Sequence, residues 1–212
     1  MSGNSPACCP KPTAAWPSPG GSCSWRPHMD LRDAAALISD AVPQGAGLWA
    51  DFGAGDGTFT RALGRVLGPG ARIYAVDRDP AALAILERGV ENDGVNVIPV
   101  ATDFARPFDL PGLGGTRLDG MLFANALHFL PHPETVLARL ATWLRPGGRV
   151  VMVEYDRRAA SRWVPYPIPV ARLPALAAAA GLSTPVVTAT RPSAFGGVLY
   201  VAVAERAPDG AA

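Results

Sequence analysis

The stretch that decides the fold runs from Leu48 to Thr58 and reads LWADFGAGDGT. Its short apolar segment ends at Asp51, an acid. Glycines then follow at every second position, at Gly53, Gly55 and Gly57. Behind them, apolar residues recur at helical spacing until a Gly-Pro-Gly sequence at 68–70 ends the pattern. This order predicts a strand, a tight glycine turn and a helix, which together open a nucleotide-binding βαβ unit.

The glycine spacing and the acids of this loop indicate which ligand it suits. A dinucleotide fingerprint has the form Gly-x-Gly-x-x-Gly, but here the third glycine comes one residue early and Thr58 takes the later position. Carboxylates at Asp51 and Asp56 would repel a pyrophosphate about 4 Å away by about 1 to 4 kcal/mol. A ligand that carries an ammonium and a sulfonium and no phosphate would be attracted instead. The loop therefore favours a cationic ligand over a dinucleotide.

Two motifs resemble those of class I (Rossmann-like) S-adenosylmethionine-dependent methyltransferases. The acid-x-Gly-x-Gly-x-Gly pattern of residues 51–57 is similar to the family's first motif, and the Leu-Arg-Pro-Gly-Gly sequence at 144–148 precedes an apolar strand at the spacing that the family's fold requires. The resemblance covers about residues 30–206. It implies a doubly wound α/β fold, in which a mostly parallel seven-stranded sheet of order 3-2-1-4-5-7-6 ends in a C-terminal antiparallel hairpin.

The resemblance also implies S-adenosylmethionine as co-substrate and gives roles to single residues. The loop glycines are expected to hold the methionine end, with Asp51 near its ammonium. Asp77, 26 residues further on, is expected at the ribose hydroxyls, and Asp103 and Phe104 near the adenine. An alternative for Asp103 is that it caps the turn before Pro107. The residues expected to contact the cofactor are Asp51, Gly53, Ala54, Gly55, Gly57, Asp77, Arg78, Asp103, Phe104 and Asn125.

The remaining pattern predicts alternating helices and strands. A helix at 30–42 begins at Asp30 and ends before Pro43, and a second one, capped by Asp79, is closed at 92–94. A helix starting at His132 is expected to use Leu144 as part of its buried face. Proline within the third strand is typical of an edge strand, and the apolar fourth strand is expected to be central. The predicted strands are 72–76, 95–100, 118–124, 149–153, 186–190 and 198–204.

Candidates for catalysis follow the fourth and fifth strands. His128 is the candidate general base, because an imidazole titrates near neutral pH and ligands bind at the carboxyl ends of such strands. Alternatively it is a packed wall residue between Leu127 and Phe129. Tyr155 is a second candidate. Further along, the proline-rich segment 161–169 predicts an ordered loop, whose aromatic residues either form a lid over the acceptor or attach the loop to the core.

Composition excludes several classes of function. A net charge of +1 without a basic cluster argues against nucleic acid as a partner, and the single lysine, Lys11, rules out a P-loop lysine and a Schiff base within the domain. No metal-ligand pattern is found, and no apolar run of about 18 residues predicts a membrane span. Without a visible secretory signal, a cytoplasmic location is expected.

We therefore expect a disordered extension at 1–28, a methyltransferase domain at 29–206 and a flexible tail at 207–212. The expected reaction moves a methyl group to a small-molecule acceptor. Two alternatives stay open: a non-catalytic module that binds S-adenosylmethionine or a partner protein, and a nicotinamide-dependent oxidoreductase that shares the same βαβ start.

Overall fold

The computed structural model describes residues 29–90, 94–193 and 196–208. Strands and helices alternate over most of this part of the chain. The strands are β1 Leu48–Phe52, β2 Arg72–Asp77, β3 Asn96–Ala101, β4 Leu118–Ala124, β5 Leu144–Asp156, β6 Val186–Pro192 and β7 Val198–Glu205. The helices are α1 Leu31–Ile38, α2 Thr58–Leu67, α3 Pro80–Gly89, α4 Pro133–Ala141 and α5 Leu173–Ala179, with short 3-10 turns at Leu127–Phe129 and Val170–Arg172.

The seven strands form one sheet in the order β3-β2-β1-β4-β5-β7-β6. The first five strands pair in parallel, whereas β7 pairs antiparallel with both β5 and β6. Pro99 lies in the edge strand β3, opposite Ala75, and β4 is central between β1 and β5. The predicted fold class and strand order are confirmed.

Side chains from the two faces of the sheet form separate apolar layers. On one face, Trp49 of β1 packs in a layer with buried residues of α1 and α2, such as Ile38 and Leu63. On the other face, Phe52 joins a larger layer that includes buried residues of α4 and α5. The inner strands β1, β2, β4 and β5 are buried on both faces, which explains why their sequences are mostly apolar. Parallel strands covered in this way bring their carboxyl ends to one exposed edge, where the loops carry polar residues.

Two predicted boundaries were wrong. The first helix starts as predicted, with Asp30 Oδ1 accepting from the amide of Asp33 at 2.8 Å, but it ends at Ile38 rather than Val42. An exposed Ser39-Asp40 turn follows, while Ala41 and Val42 remain buried. The fourth helix ends at Ala141, so Leu144 belongs to β5 and not to the helix.

The Pro-Gly-Gly segment, which precedes the strand predicted at 149–153, is itself part of the long strand β5. Leu144 pairs with Leu118, and the register shifts before Arg149 pairs with Gly120. The shift absorbs the residues between them, including Gly147 at φ 70°. The start of β5 therefore contains a bulge, located before the strand predicted at 149–153.

Several predictions fall on residues that the structure does not describe. The extension at 1–28, most of the closing signal at 92–94 and residues 209–212 of the tail lie outside the described ranges. Within those ranges, none of the helices has the length and hydrophobicity that a bilayer span requires.

Candidate functional site

The glycine loop connects β1 to α2 at the carboxyl edge of the sheet. The amides of Gly53 and Ala54 donate to the carbonyl of Val76 in the neighbouring strand, at 2.8 and 3.1 Å. All three glycines have positive φ, at 81°, 55° and 89° for Gly53, Gly55 and Gly57. A residue with a side chain is strained in this region of φ, so the loop conformation itself requires glycine.

The three glycines differ in what surrounds them. A Cβ added to Gly53 would lie 2.7 Å from Cβ of Ala126, and one added to Gly57 would lie 2.5 Å from Cγ of Leu86. Both positions are therefore also glycine because neighbouring side chains fill the space. A Cβ on Gly55 would meet no described atom within 4 Å. Gly55 is the loop position that leaves the backbone open to a ligand.

Asp77, at the end of β2, binds the loop from the side. Its Oδ2 accepts from the amide of Gly55 at 2.8 Å, and its Oδ1 accepts from the amide of Asp79 at 2.9 Å. Each carboxylate oxygen retains a second lone pair, so this geometry leaves acceptor capacity for a ligand hydroxyl. Arg78, next to it, is exposed. Asp79 caps α3 by accepting from Ala81 at 2.9 Å, as expected for a helix-starting acid.

Asp51 is fully buried below the loop, at the end of β1. Its Oδ2 accepts from the hydroxyl of Thr60 in α2 at 2.7 Å, whereas its Oδ1 is buried without a hydrogen-bond partner among the described residues. Burial raises the pKa of the carboxyl to about 7, with a smaller contribution from the charge of Asp77, although the Thr60 hydrogen bond opposes the shift. Asp51 is therefore a titrating group near neutral pH rather than the permanent negative charge that the sequence suggested.

Asn125 follows β4 in a left-handed conformation with φ 55°. Its amide donates to the carbonyl of Val153 at 2.8 Å, which fixes it between β4 and β5. Its Oδ1, like Oδ1 of Asp51, is buried and has no partner within the described part of the chain. Unpaired buried oxygens at the carboxyl edge call for a donor group from outside the protein, because leaving such an atom unpaired costs free energy.

Asp103 and Phe104 follow the edge strand. Oδ1 of Asp103 accepts from the amide of Ala105 at 3.0 Å, and its Oδ2 lies 3.7 Å from Nε of Arg106. Asp103 therefore caps the turn, as the alternative predicted. Its side chain is also partly exposed, so it is still accessible to a ligand. The ring of Phe104 is partly buried, with its centroid 5.8 Å from that of Phe52.

A buried pair of side chains lies at the carboxyl ends of β4 and β5. His128, 2% exposed, sits in the 3-10 turn after β4, and its Nδ1 is 2.6 Å from Oε2 of Glu154 in β5. Oε1 of Glu154 accepts from the amides of Leu127 and His128, at 3.0 and 3.2 Å. The carboxylate thus holds both the ring and the backbone of the turn. Because Glu154 accepts at Nδ1, the imidazole carries its proton there and Nε2 is left with the lone pair.

Tyr155 lies beside this pair, its ring centroid 6.1 Å from that of His128. The guanidinium of Arg158 lies 4.5 Å from the centre of the tyrosine ring. Burial raises the pKa of the Tyr155 hydroxyl, although the positive charge of Arg158 opposes the shift. Since a raised pKa makes a phenol a poorer proton donor and its anion rarer, this geometry favours His128 over Tyr155 as a base.

The loop after β5 is held by its backbone and its aliphatic side chains. Val164 and Ile168 are buried, and the hydroxyl of Tyr200 donates to the carbonyl of Ile168 at 2.7 Å. The amide of Tyr166 donates to the carbonyl of His128 at 3.0 Å, so the loop passes directly over the histidine turn. The side chains of Trp163 and Tyr166 are 62% and 43% exposed. These exposed rings contribute little to attaching the loop to the core, and the lid over the acceptor stays a prediction.

Sequence reasoning missed two polar residues of this region, Glu154 and Thr60. Glu154 ends an apolar strand next to Tyr155, which was a usable signal, but nothing local shows that it faces His128. Thr60 is nine residues from its partner Asp51 and carries no motif of its own. No group of three or more His, Cys, Asp or Glu side chains in the described ranges is arranged to hold a metal ion.

Residues 50–150 match the family model described as a methyltransferase domain. The ubiquinone/menaquinone biosynthesis C-methyltransferase of Bordetella avium is 27% identical over 109 residues, which cover 51% of this chain and 41% of that protein. The chain spans less than half the length of the curated relatives that it matches.

Solved structures are similar over more of the chain. The Burkholderia thailandensis 1,6-didemethyltoxoflavin-N1-methyltransferase, with bound 1,6-didemethyltoxoflavin and S-adenosylhomocysteine, is 26% identical with a TM-score of 0.60, covering 84% of this chain and 78% of that one. The Synechocystis magnesium protoporphyrin IX methyltransferase, with bound S-adenosylmethionine, shares the fold with a TM-score of 0.59 at 17% identity, covering 84% and 78% of the two chains.

Proposed function

We propose, on the premise that this chain carries a class I methyltransferase domain, that the protein transfers a methyl group from S-adenosylmethionine to a small-molecule acceptor. The observation that carries the proposal is the chemistry of the loop edge. The open backbone at Gly55 lies beside the carboxylate of Asp77, and two buried oxygens, of Asp51 and Asn125, have no partner among the described residues. The oxygens of Asp51, Asp77 and Asn125 are acceptors that suit an ammonium and ribose hydroxyls, and the negative charge of the carboxylates repels a pyrophosphate.

The proposed donor site follows the loop. Gly53, Ala54, Gly55 and Gly57 provide the backbone surface for the methionine end. Asp51 provides the acceptor for its ammonium, directly or through a water, and a bound cation lowers the pKa of this buried carboxyl. Asp77 and its neighbour Arg78 are proposed at the ribose hydroxyls, whereas Asp103 and Phe104 are proposed at the adenine. Asn125 closes the site between β4 and β5.

The bound donor supplies a methyl group on a sulfonium, which leaves as a neutral thioether when the acceptor atom takes the methyl. The protein's main contribution is then alignment of the two reactants, which is worth about 7 to 11 kcal/mol in well-oriented reactions. The aromatic side chains of the loop after β5 exclude water from the reacting atoms. No covalent intermediate on the protein is needed.

An acceptor with an O–H, N–H or activated C–H must also lose a proton, and His128 is the residue proposed to take it. Glu154 holds the Nδ1 proton, so Nε2 has the free lone pair, and the imidazolium that forms is stabilised by the same carboxylate. The low exposure of His128 favours a second role, in which the pair only fixes the 127–129 turn. The two roles differ in the effect of mutation on turnover.

Calorimetric titration of the full chain tests the donor proposal. We expect S-adenosylmethionine and S-adenosylhomocysteine to bind and NAD not to bind. Asp77→Ala should weaken donor binding at least tenfold, while Asp79→Ala, two residues further on at the N-cap of α3, should leave it unchanged. Circular dichroism of both variants checks that the fold is retained. Binding of NAD alone would instead support the oxidoreductase alternative.

Transfer of labelled methyl from the donor into a host-cell extract, with identification of the product by mass, tests the reaction. A methylated product of small mass is the expected result. Donor binding without a labelled product in any extract would support the non-catalytic alternative.

A further inference from the structure

The surface next to His128 is aromatic and exposed. Phe129 follows the histidine, with the two ring centroids 4.4 Å apart, and it is 50% exposed. The ring centroid of Tyr155 is 6.1 Å from that of His128, and the backbone amide of Tyr166 donates to the carbonyl of His128 at 3.0 Å. Trp163, three residues before Tyr166, belongs to the same loop. We call Phe129, Tyr155, Trp163 and Tyr166 the aromatic rim.

Exposed aromatic side chains that lie close together often mark a binding surface. Phe129, Trp163 and Tyr166 are among the few large hydrophobic residues of the described structure that are exposed, and they come from two segments that the fold brings together. The loop that carries Trp163 and Tyr166 does not need them for anchoring, because Val164 and Ile168 are its buried contacts. Rigid rings of this kind provide flat faces for stacking at low entropic cost.

The charge of the same loop is positive. Its arginines are Arg157, Arg158 and Arg162, and the sequence from 157 to 170 contains no acidic residue. Arg157 lies 3.4 Å from the carboxylate of Asp156. The other two guanidinium groups lie over rings of the aromatic rim, Arg158 over Tyr155 and Arg162 over Trp163, each at 4.5 Å from the ring centre. An arginine that lies over an aromatic ring keeps its positive charge, and a guanidinium suits the planar geometry of a carboxylate.

Together these contacts define a flat apolar surface with cationic edges, next to the proposed base. We propose that the acceptor is a planar aromatic anion, such as an aromatic carboxylate, which stacks on the aromatic rim and places its charge at Arg158. This inference rests on the proposed methyl transfer and narrows its acceptor class. The ring of such an acceptor would lie against the exposed ring of Phe129, next to His128, and the proton lost on methylation would pass to Nε2 of His128.

Three probes that differ in one property each test the acceptor class. They are 3-hydroxy-2-naphthoate, which is planar and anionic, 2-naphthol, which is planar and neutral, and cyclohexanecarboxylate, which is anionic and not planar. Binding to the full chain is measured calorimetrically in the presence of saturating S-adenosylhomocysteine. We expect 3-hydroxy-2-naphthoate to bind at least tenfold more tightly than either of the others. Equal or tighter binding of cyclohexanecarboxylate overturns the proposal.

Variants separate recognition of the negative charge from recognition of the aromatic ring. Arg158→Gln should weaken 3-hydroxy-2-naphthoate about tenfold and leave 2-naphthol unchanged, whereas Trp163→Ala should weaken both naphthalenes. Val186→Ala is the control, because Val186 is 64% exposed at the start of the edge strand β6, which β7 separates from β5. An equal effect of Arg158→Gln on the charged and the neutral probe, or an effect of the control as large as that of Trp163→Ala, contradicts the proposal.

Two further outcomes separate this inference from others. A chain that binds S-adenosylhomocysteine but none of the aromatic probes refutes the acceptor class and leaves the proposed function standing, whereas a chain that does not bind S-adenosylhomocysteine refutes the proposed function as well. The aromatic rim and its arginines also resemble a membrane-contact surface. The proposal would therefore be overturned if the protein co-sedimented with phosphatidylglycerol vesicles, lost this binding in Trp163→Ala and did not bind free 3-hydroxy-2-naphthoate.

Discussion

The carboxyl edge of the sheet has two halves that hold their functional groups in different ways. In the glycine half (Asp51 to Gly57, Asp77 and Asp103), backbone conformation and carboxylate-to-amide bonds set the geometry. In the histidine half (Asn125, His128, Glu154 and Tyr155), buried side chains from two strands set it. The backbone thus shapes the glycine half, whereas the histidine half is a hydrogen-bonded pair next to the aromatic rim. We infer that the first half, together with Asn125, serves the donor, and that His128, Glu154 and Tyr155 serve the acceptor.

The largest effect is expected from breaking the pair in the histidine half. If His128 takes a proton during transfer, Glu154→Gln should lower turnover by about 100- to 1,000-fold, since general base catalysis contributes roughly that much. Donor affinity should stay unchanged, because Glu154 touches none of the glycine half. The measurement is turnover with the acceptor in single-turnover conditions, together with S-adenosylhomocysteine binding.

Glu205→Gln is the control for this variant, since Glu205 is half-exposed in β7 and pairs with Arg149 at 3.4 Å. It should keep full turnover. The pH dependence of turnover separates catalysis from support of the fold, because a purely structural role of Glu154 would lower the amplitude of the profile without moving it. Full activity of Glu154→Gln would remove the base from the proposal.

The next effect concerns stability against pH in the glycine half. The pKa of Asp51 rises from 3.8 to about 7 on folding, so between these pH values the folded state holds a proton that the unfolded state has lost. The free energy of unfolding should therefore fall as the pH rises through this window, by up to about 4 kcal/mol in total. Urea unfolding at pH 5, 7 and 8.5 measures it.

Asp51→Asn is the matched comparison, because the amide has nearly the same shape and does not titrate. The difference in unfolding free energy between the two proteins should change with pH in the stated direction and level off above pH 8. A constant difference would show that Asp51 does not change its protonation on folding. Donor binding adds a second readout, since a cationic ligand favours the ionised carboxyl and its affinity should rise with pH.

The two halves also differ in how far the sequence could predict them. The residue type of Gly53, Gly55 and Gly57 alone predicts a backbone with positive φ. Their spacing predicts the loop and the helix that follows it. The contact between His128 and Glu154 joins residues 26 positions apart, and no local pattern contains it. The contact arises from the parallel pairing of β4 with β5. The sequence pattern predicts that these strands are neighbours, but it does not predict which of their side chains meet.

Charge and helix ends were hard to predict for a related physical reason. Asp51 reads as a negative charge in sequence, but its complete burial decides its protonation, and burial depends on α2 covering the strand end. The ends of α1 and α4 came four and three residues earlier than the apolar pattern indicated, because Ala41, Val42 and Leu144 are buried in other conformations. Apolar periodicity indicates which residues are buried, and buried residues can continue beyond the end of a helix.

A smaller effect separates the glycines of the glycine half. Gly57→Ala should lower the free energy of unfolding by about 3 kcal/mol, because the new Cβ meets Leu86 at 2.5 Å and the backbone is left-handed. Gly55→Ala adds its Cβ to open space, so only the backbone strain remains, about 1 kcal/mol. Donor affinity should show the reverse weighting, with Gly55→Ala weakening S-adenosylhomocysteine at least tenfold. Equal stabilities of the two variants would contradict the packing difference.

The smallest expected effect decides what Asp103 does. Asp103 and Asp79 make the same local bond, each accepting from the amide two residues further on, at 3.0 and 2.9 Å. Asp103→Ala and Asp79→Ala should therefore each cost about 1 kcal/mol of unfolding free energy, the typical value of such a cap. If Asp103 also faces the adenine, only its variant should weaken S-adenosylhomocysteine, by a few-fold. Equal affinities in the two variants would reduce Asp103 to a turn cap and would confine the donor contacts of the glycine half to β1 and β2.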